Sequence, residues 1–563
     1  MSQLYNFFIH SFVSHLLTVE KNNSENGHHG MSSCLKYFLV LVLVFVFPGL
    51  CLAKECSQTG ASIKEIRTHG WGFDVRNSRF IPGDIAGLSI EDAPRLKLKW
   101  AFKFDGASKV RSQPAISNDT VYVGSSSGTL YALNRENGCV RWQFDTTWEI
   151  RTAISLAKDI NGRDMVFFGD FRANAFALDA NTGELIWKKS VDEHIGATIT
   201  GSPKLHNKTL YVPISSFEVA LAAAPVYPCC DFRGAVVALD AATGNIKWKT
   251  HVMEEATKRG TNAIFVSRYG PSGAPVWNSP TIDIKRNALY IGTGENYSQP
   301  TSDSSDAVIA MDMDSGEIKW KRQLIPNDAW NMACSLPVIG TNCPENPGKD
   351  LDIGASPILA RAADGTELLL VGQKSSDTWG LNPDTGAVIW KKKLGKGGAL
   401  GGIHWGMSVE GDTLYAPNSD YILEVPGLNP VDPDNKAPKQ PSLTALSIKS
   451  GEILWQNKME AICSNLEECD PGLSAATTSI PGVVFAGALD GHLRAYASDD
   501  GRLLWDVDTT QEVTTVSGKT GHGGSIDADG PVIVDGQVYI NSGYGFFGEL
   551  SGNVLLVYSV DGK

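Results

Sequence analysis

From about residue 95 to its end, the chain alternates apolar and polar residues in short runs, each closed by a polar turn. Seven runs share one ending: TLYALNRENG, AFALDANTG, VVALDAATG, VIAMDMDSG, TWGLNPDTG, LTALSIKSG and LRAYASDDG. A tryptophan follows each final glycine at the same distance, at Trp142, Trp187, Trp248, Trp320, Trp390, Trp455 and Trp505. Period-2 alternation puts every second side chain on one face, as a half-buried strand needs, and the Asp/Asn, Thr/Ser and Gly that follow form a hairpin turn whose glycine accepts a positive φ. Another short strand, such as TVYVG, TLYVP, ALYIG or LLLVG, precedes each run, so every unit reads as a small antiparallel sheet. Successive tryptophans are 45, 61, 72, 70, 65 and 50 residues apart, against ~40 to 50 for a four-stranded propeller blade. The excess is loop.

An eighth unit, QVYINSGYGFFGELSGNVLLVYSVDGK, reaches its turn at Asp561 and Gly562 and ends at Lys563 without an outermost strand. The segment RLKLKWAFKF has the opposite defect: Trp100 lies 42 residues before Trp142, with no hairpin ahead of it. The expected fold is therefore all-β: an eight-bladed β-propeller with tryptophan-docking repeats, closed by this N-terminal strand so that no sheet edge stays open. The eight tryptophans are assigned to blade packing.

The amino terminus reads as an address. The apolar run YFLVLVLVFVF from Tyr37 to Phe47 has 11 residues, which suits the core of a secretory signal and falls short of the ~20 that span a bilayer. Residues 31–53 are expected to be a signal peptide starting at Met31, residues 1–30 an upstream extension, 54–94 a lead-in and 95–563 the propeller. The product is expected to be secreted, or periplasmic in a bacterium, with no membrane anchor after cleavage. A 42% hydrophobic and 20% charged composition argues against a polytopic membrane protein or a disordered chain. The net charge of -13 argues against a nucleic-acid partner.

Eight cysteines remain after the signal. Local spacing suggests the pairs 334 with 343, 463 with 469 and adjacent 229 with 230, and elimination then leaves 56 with 139; eight cysteines allow 105 connectivities in all. There is no CxxCH or paired CxxC, so neither covalent haem nor a zinc ribbon is supported. Sequons at Asn118, Asn207 and Asn296 would make the product a glycoprotein in a eukaryotic secretory route.

The repeated (A/L)xDxxTGxxxW ending, together with the lead-in HGWGFDVRNSRF at His69 to Phe80, resembles the propellers of pyrroloquinoline quinone (PQQ) dehydrogenases, methanol and polyvinyl alcohol dehydrogenases among them. That resemblance implies PQQ and Ca²⁺ as cofactors. It implies that adjacent Cys229 and Cys230, in VYPCCDFRG, form a vicinal disulfide against one face of PQQ; their place in an insertion between Glu218 and Arg233 favours the polyvinyl alcohol branch. It also implies a floor at Trp277, hydroxyl contacts from Thr200 and Ser215, and a cation at the quinone oxygens from Lys374. Glu218 and Glu295, with adjacent Asn296, fall at calcium-ligand positions as hard oxygen donors. Arg233 could neutralise a carboxylate, and Arg111 and Arg151, placed by register at the start of inner strands, could line the funnel. One position departs from the pattern. Methanol dehydrogenases have a Trp-Asp pair whose aspartate acts as base, whereas here Trp330 is followed by Asn331, an amide that cannot accept the alcohol proton. Asp328 is the nearest carboxylate and is nominated in its place.

The expected function is oxidation of an alcohol, polymeric or secondary, by hydride transfer to the quinone, with electrons leaving to a separate acceptor. The rival readings are a non-catalytic binding or assembly propeller whose site has decayed, and a glycan-binding module with His404, Trp405, Tyr544 and Phe546 on a funnel rim.

Overall fold

A computed structural model describes residues 56, 63–159, 162–335, 341–421, 439–460 and 469–563. The expected signal, the upstream extension and Cys463 lie outside the described residues. Eight antiparallel blade sheets follow one another along the chain; in seven the strands pair in sequence order, and the eighth takes one strand from the start of the propeller. Every blade ends in the strand that carries its tryptophan. In the first blade, for example, Ala115–Ile116, Thr120–Gly124, Thr129–Asn134 and Val140–Asp145 pair in turn.

The ring closes as expected. Strand Leu96–Lys103 pairs antiparallel with Val554–Val560, with Leu96 opposite Val560 and Lys103 opposite Val554, and so becomes the outermost strand of the eighth blade. Only backbone hydrogen bonds between the two ends of the chain can remove both open edges.

Neighbouring blades are joined by one repeated contact. The indole Nε1 of each docking tryptophan donates to a backbone carbonyl of the next blade: Trp142 to Ala180, Trp187 to Ala241, Trp248 to Met313, Trp320 to Pro383, Trp390 to Ile448 and Trp455 to Ser498, at 2.8 to 3.2 Å. Trp505 donates to Leu96 and Trp100 to Arg135, both at 3.1 Å, so the closing strand is docked on both sides. The ring face lies on the turn glycine of the following repeat. At Gly183 (φ +77°) a Cβ would stand 2.7 Å from the Trp142 ring, and at Gly138 (φ +69°) 2.7 Å from Trp100. Glycine is thus required twice over, by its backbone conformation and by the indole above it.

The lead-in folds under the ring. Arg79 is buried, donates to the Thr477 carbonyl, Gln113 Oε1 and Thr478 Oγ1, and lies 4.6 Å from the Trp71 ring centroid. Lys204, also buried, donates to backbone carbonyls of Trp71 and Asp74 and to Asn77 Oδ1. Disulfides join Cys56 to Cys139, Cys229 to Cys230 and Cys334 to Cys343. Among the described residues, no helix is long and apolar enough to cross a membrane.

Trp100→Ala is expected to destabilise the protein by about 3–5 kcal/mol, the usual range for removing a buried aromatic, whereas Trp100→Phe should lose mainly one hydrogen bond, about 1 kcal/mol. Urea midpoints of the two variants check this. Equal midpoints would mean that the ring does not close through this strand.

Candidate active site

The repeat itself assembles the centre. Four residues before the innermost strand of the eight blades stand Arg111, Arg151, Thr200, Trp277, Gly354, His404, Ser474 and Ala528. Six of these line a single cavity, together with Trp71, Trp405 and Asp529. The other two complete the ring: His404 meets the Trp277 ring edge-to-face at 5.8 Å and hydrogen-bonds Ser474. Arg111, Arg151 and Trp277 therefore precede the inner strands, and the expectation that the two arginines begin them is corrected by four residues. Trp277 reaches across into the slot of the next blade, where a Cβ on Gly354 would lie 2.0 Å from it.

One side of the ring is cationic. Arg111 pairs with Glu149 at 2.6 Å and donates to the Tyr544 hydroxyl at 2.9 Å, and Lys109 reaches Glu149 at 3.3 Å. Burial alone would raise the Glu149 pKa, but Arg111 and Lys109 hold it at about 2. Arg151 lies 4.5 Å from the Trp405 ring centroid, and its buried Nε has no hydrogen-bond partner among the described residues. Burial, with Arg111 beside it, lowers its pKa to about 10. Thr200 Oγ1 is likewise buried and unpartnered.

Facing these, the loops of the fourth and fifth blades gather three carboxylates and a lysine. Ligand oxygens of Glu295, Asp350 and Asp352 all lie within 4.8 Å of one another. Lys374 donates to Asp350 at 2.9 Å and to Asp352 at 3.1 Å, 5.3 Å from the Trp277 ring centroid. Asp352 also accepts from Trp277 Nε1 and from the Glu295 backbone N–H. Burial and the neighbouring aspartates push the Glu295 carboxyl well above the usual carboxylate range, and burial does the same to Asp350 against the pull of Lys374. Three acids against one base is more negative charge than a buried site can hold without protons or a cation. Sequence reasoning missed Asp350 and Asp352, because they stand on an insertion with no counterpart in the repeat.

Other expected site residues are placed differently. Glu218 is fully buried and accepts from the Tyr227 hydroxyl and the Asp231 and Phe232 backbone N–H groups. It thereby pins the segment that follows the Cys229–Cys230 pair. Its potential ligand partners are His194 and Asp231, a group separate from that of Glu295. Ser215 is buried on the extended strand Thr209–Ser216, opposite Thr198. Arg233 lines a different groove with Lys249, His251 and Glu255, none of which belongs to the axial ring. Asn296 is completely buried: its amide donates to the Asp328 carbonyl and its oxygen accepts from Ser302. It has no lone pair directed at a metal and no room for a glycan. His404, Trp405 and Tyr544 are buried and Phe546 is half-buried, so the four do not form the exposed rim expected of a glycan-binding surface.

Neither Asn331, at the family's base position, nor Asp328, nominated in its place, is free. Asn331 donates to the Tyr297 and Asn342 carbonyls and accepts from Ala333 N–H. Asp328 accepts from the backbone N–H of Lys349 and Asp350 on one oxygen and of Leu351 on the other. Both hold loops. Asn331→Asp would point a carboxylate at two carbonyl oxygens; the expected result is a loss of about 1–3 kcal/mol or more, without added activity. A melting curve and an alcohol-oxidation assay check both halves.

Residues 70–393 match the family described as glucose/ethanol/alcohol dehydrogenase, beta-propeller domain, and residues 356–561 match that described as outer membrane protein assembly factor BamB. A polyvinylalcohol dehydrogenase of Pseudomonas sp. is 38% identical over 512 residues, covering 88% of this chain and 77% of the relative. Another, from Sphingopyxis sp. (strain 113P3), is 39% identical over 514 residues, covering 88% and 76%. The crystal structure of quinohemoprotein alcohol dehydrogenase from Comamonas testosteroni superimposes with a TM-score of 0.63 at 18% identity, over 89% of this chain and 82% of that one. With its propeller, its axial ring and two relatives matched over most of their length, the chain belongs to the quinoprotein, PQQ-dependent alcohol dehydrogenase family.

Proposed function

We propose that this protein is a secreted dehydrogenase that binds PQQ and Ca²⁺ at the axial ring and oxidises the hydroxyl groups of a polymeric alcohol, passing electrons to a separate acceptor. The observation that carries the reading is the convergence on one axis of a flat indole, unpartnered buried donors and an over-charged carboxylate cluster. PQQ is a planar ortho-quinone with three carboxylates, and the donor set fits it. Trp277, kept clear by Gly354, offers the floor; Arg151 Nε and Thr200 Oγ1 lack partners that an anionic ligand would supply. Bound PQQ would supply a quinone carbonyl able to accept hydride from the carbinol carbon.

Within the chain, Lys374 stays protonated because Asp350 and Asp352 outweigh its burial. It holds a proton next to Trp277, where developing negative charge needs one. Glu295, Asp350 and Asp352 are hard oxygen donors suited to Ca²⁺. Glu218 acts at one remove, by holding the Cys229–Cys230 segment. The polymeric substrate is supported by the names of the two relatives above.

The rival is a binding or assembly propeller, favoured by the tied-up state of Asn331 and Asp328. Titration with PQQ, read as quenching of tryptophan fluorescence with and without Ca²⁺, separates the two. The expected result is saturable, Ca²⁺-dependent uptake with turnover of polyvinyl alcohol in the presence of a dye acceptor. Uptake without turnover on any alcohol would select the binding propeller, and no uptake would overturn both the cofactor and the enzyme reading.

A second expectation concerns the metal alone. Burial and the neighbouring aspartates raise the Glu295 carboxyl well above the usual carboxylate range, so Ca²⁺ binding there is expected to displace a proton, affinity should rise with pH and Glu295→Gln should weaken binding about tenfold or more. Calorimetry in buffers of different ionisation enthalpy measures the protons released. Release of none would place the ion elsewhere.

A further inference from the structure

Two members of the axial ring are joined in a way that the site described above does not use. His404 Nδ1 lies 2.9 Å from Ser474 Oγ, and Ser474 Oγ donates to Asp527 Oδ1 at 2.5 Å. Asp527 Oδ1 also accepts the Ala528 N–H at 2.8 Å. A hydroxyl has a single proton. With that proton committed to the carboxylate, Ser474 meets His404 with a lone pair, so Nδ1 must be the protonated nitrogen and Nε2 the bare one. Nε2 has no hydrogen-bond partner among the described residues, although the ring is only 7% exposed. The imidazole is oriented by a serine and an aspartate and held against Trp277 and Trp405, at 5.8 and 4.9 Å between ring centroids.

The carboxylates and amide nearby are already engaged. Asn331 has every group bonded, Asp328 has backbone N–H groups on both oxygens, and Asp352 is shared among Lys374, Trp277 and Glu295. Asp350 has Lys374 on one oxygen and belongs to the candidate cation site. We propose that His404 Nε2 accepts the hydroxyl proton of the alcohol, with Ser474 and Asp527 as the positioning residues that present it; this rests on the dehydrogenase reading given above. The alcohol O–H bond breaks and an N–H bond forms at Nε2 as the C–O bond becomes a carbonyl; bound PQQ would supply the acceptor for the carbinol hydride. The imidazolium then gives its proton to water, and reoxidation by the separate acceptor would take two electrons and release the hydride's proton to water. Asp527, reached through Ser474, offsets the transient positive charge.

The titratable groups around His404 are Lys374 and Arg151, whose charges lower its pKa, and Asp527, which reaches it through Ser474 and whose own pKa burial raises. In the unloaded protein, burial and the two cations hold the imidazole well below its ordinary pKa, so it is a neutral acceptor. An anionic cofactor would offset both cations and bring its basicity closer to the working pH, where proton transfer is most effective.

The direct test is the tautomer. Imidazole ¹⁵N shifts of the cofactor-free protein, assigned by comparison with His404→Gln, should show Nδ1 protonated and Nε2 bare, and Ser474→Ala should erase that preference. Cofactor uptake by each variant is measured separately, so that failure to bind PQQ at all, which would sink the dehydrogenase reading, is distinguished from failure of this one. Provided uptake persists, His404→Gln should lower kcat by about 10²–10⁴-fold, the usual contribution of a positioned base. Ser474→Ala should lower it by about tenfold and shift the pH profile. An Nε2-protonated tautomer, or a His404→Gln protein that takes up PQQ and turns over at the wild-type rate, would overturn the proposal.

Discussion

The structure depends on one contact made eight times: an indole laid on the neighbouring blade, donating to its backbone. Seven of the eight rings lie on a turn glycine in the left-handed region, where a side chain would both strain the backbone and strike the ring. Burying one such ring is worth on the order of 2–3 kcal/mol, but its effect is chiefly geometric. Each dock fixes the angle between successive sheets, and only when Trp505 docks on Leu96 and Trp100 on Arg135 does the count close at eight. Closure in turn brings eight equivalent positions to one axis. The site is therefore a product of the repeat: blade packing sets where its residues are, and the residue chosen at each position sets what they can do.

What the axis gathers is expensive to keep. Arg111, Arg151, Lys374 and His404 are all withdrawn from bulk water, and the carboxylates that answer them are unevenly distributed. Glu149 holds Arg111, and the aspartates hold Lys374, yet Arg151 Nε and Thr200 Oγ1 are left without partners among the described residues. Groups of this kind cost about 1–3 kcal/mol each when unpaired. A fold of ordinary stability, ~5 to 15 kcal/mol, tolerates them here because the blade docks are spread around the circumference, away from the axis. Stability and chemistry are separated radially.

This separation explains which features were legible. The blade count and the closing strand follow from a period and an orphan strand; two of the three described disulfides follow from short cysteine spacings, and Cys56–Cys139, 83 residues apart, follows from elimination. Trp277 and Lys374 are reached through the motifs that carry the family resemblance, GAPVWNSP and VGQKSSDTWG, and the fold brings the Lys374 ammonium 5.3 Å from the Trp277 ring centroid. Register fails in insertions. Asn296 and Asn331 look like ligand and base positions because they adjoin the right motifs, but in long loops an amide is needed to satisfy stranded backbone groups, and both do that. Asp328 is occupied for the same reason. Ser474 was invisible as a partner of His404 because 70 residues separate them, and only the docking of Trp455 on the following blade brings the sixth and seventh blades side by side.

The spacing of the tryptophans then acquires a meaning beyond excess loop. Blades spaced 42, 45 and 50 residues apart hold little beyond their strands, and the first two furnish Arg111 and Arg151, which need only the repeat to reach the axis. The intervals of 61, 72 and 70 contain Glu218 with the Cys229–Cys230 pair, then Trp277 and Glu295, then Asp328, Asp350, Asp352 and Lys374. Acidic groups in apposition require chains that depart from the symmetric path, because equivalent positions in eight identical blades would set like charges at the same height around a single axis. An asymmetric site on a symmetric ring must thus be built from insertions concentrated on one side. The fourth and fifth blades, which have the two longest intervals at 72 and 70 residues, are where the carboxylate side of that site is found.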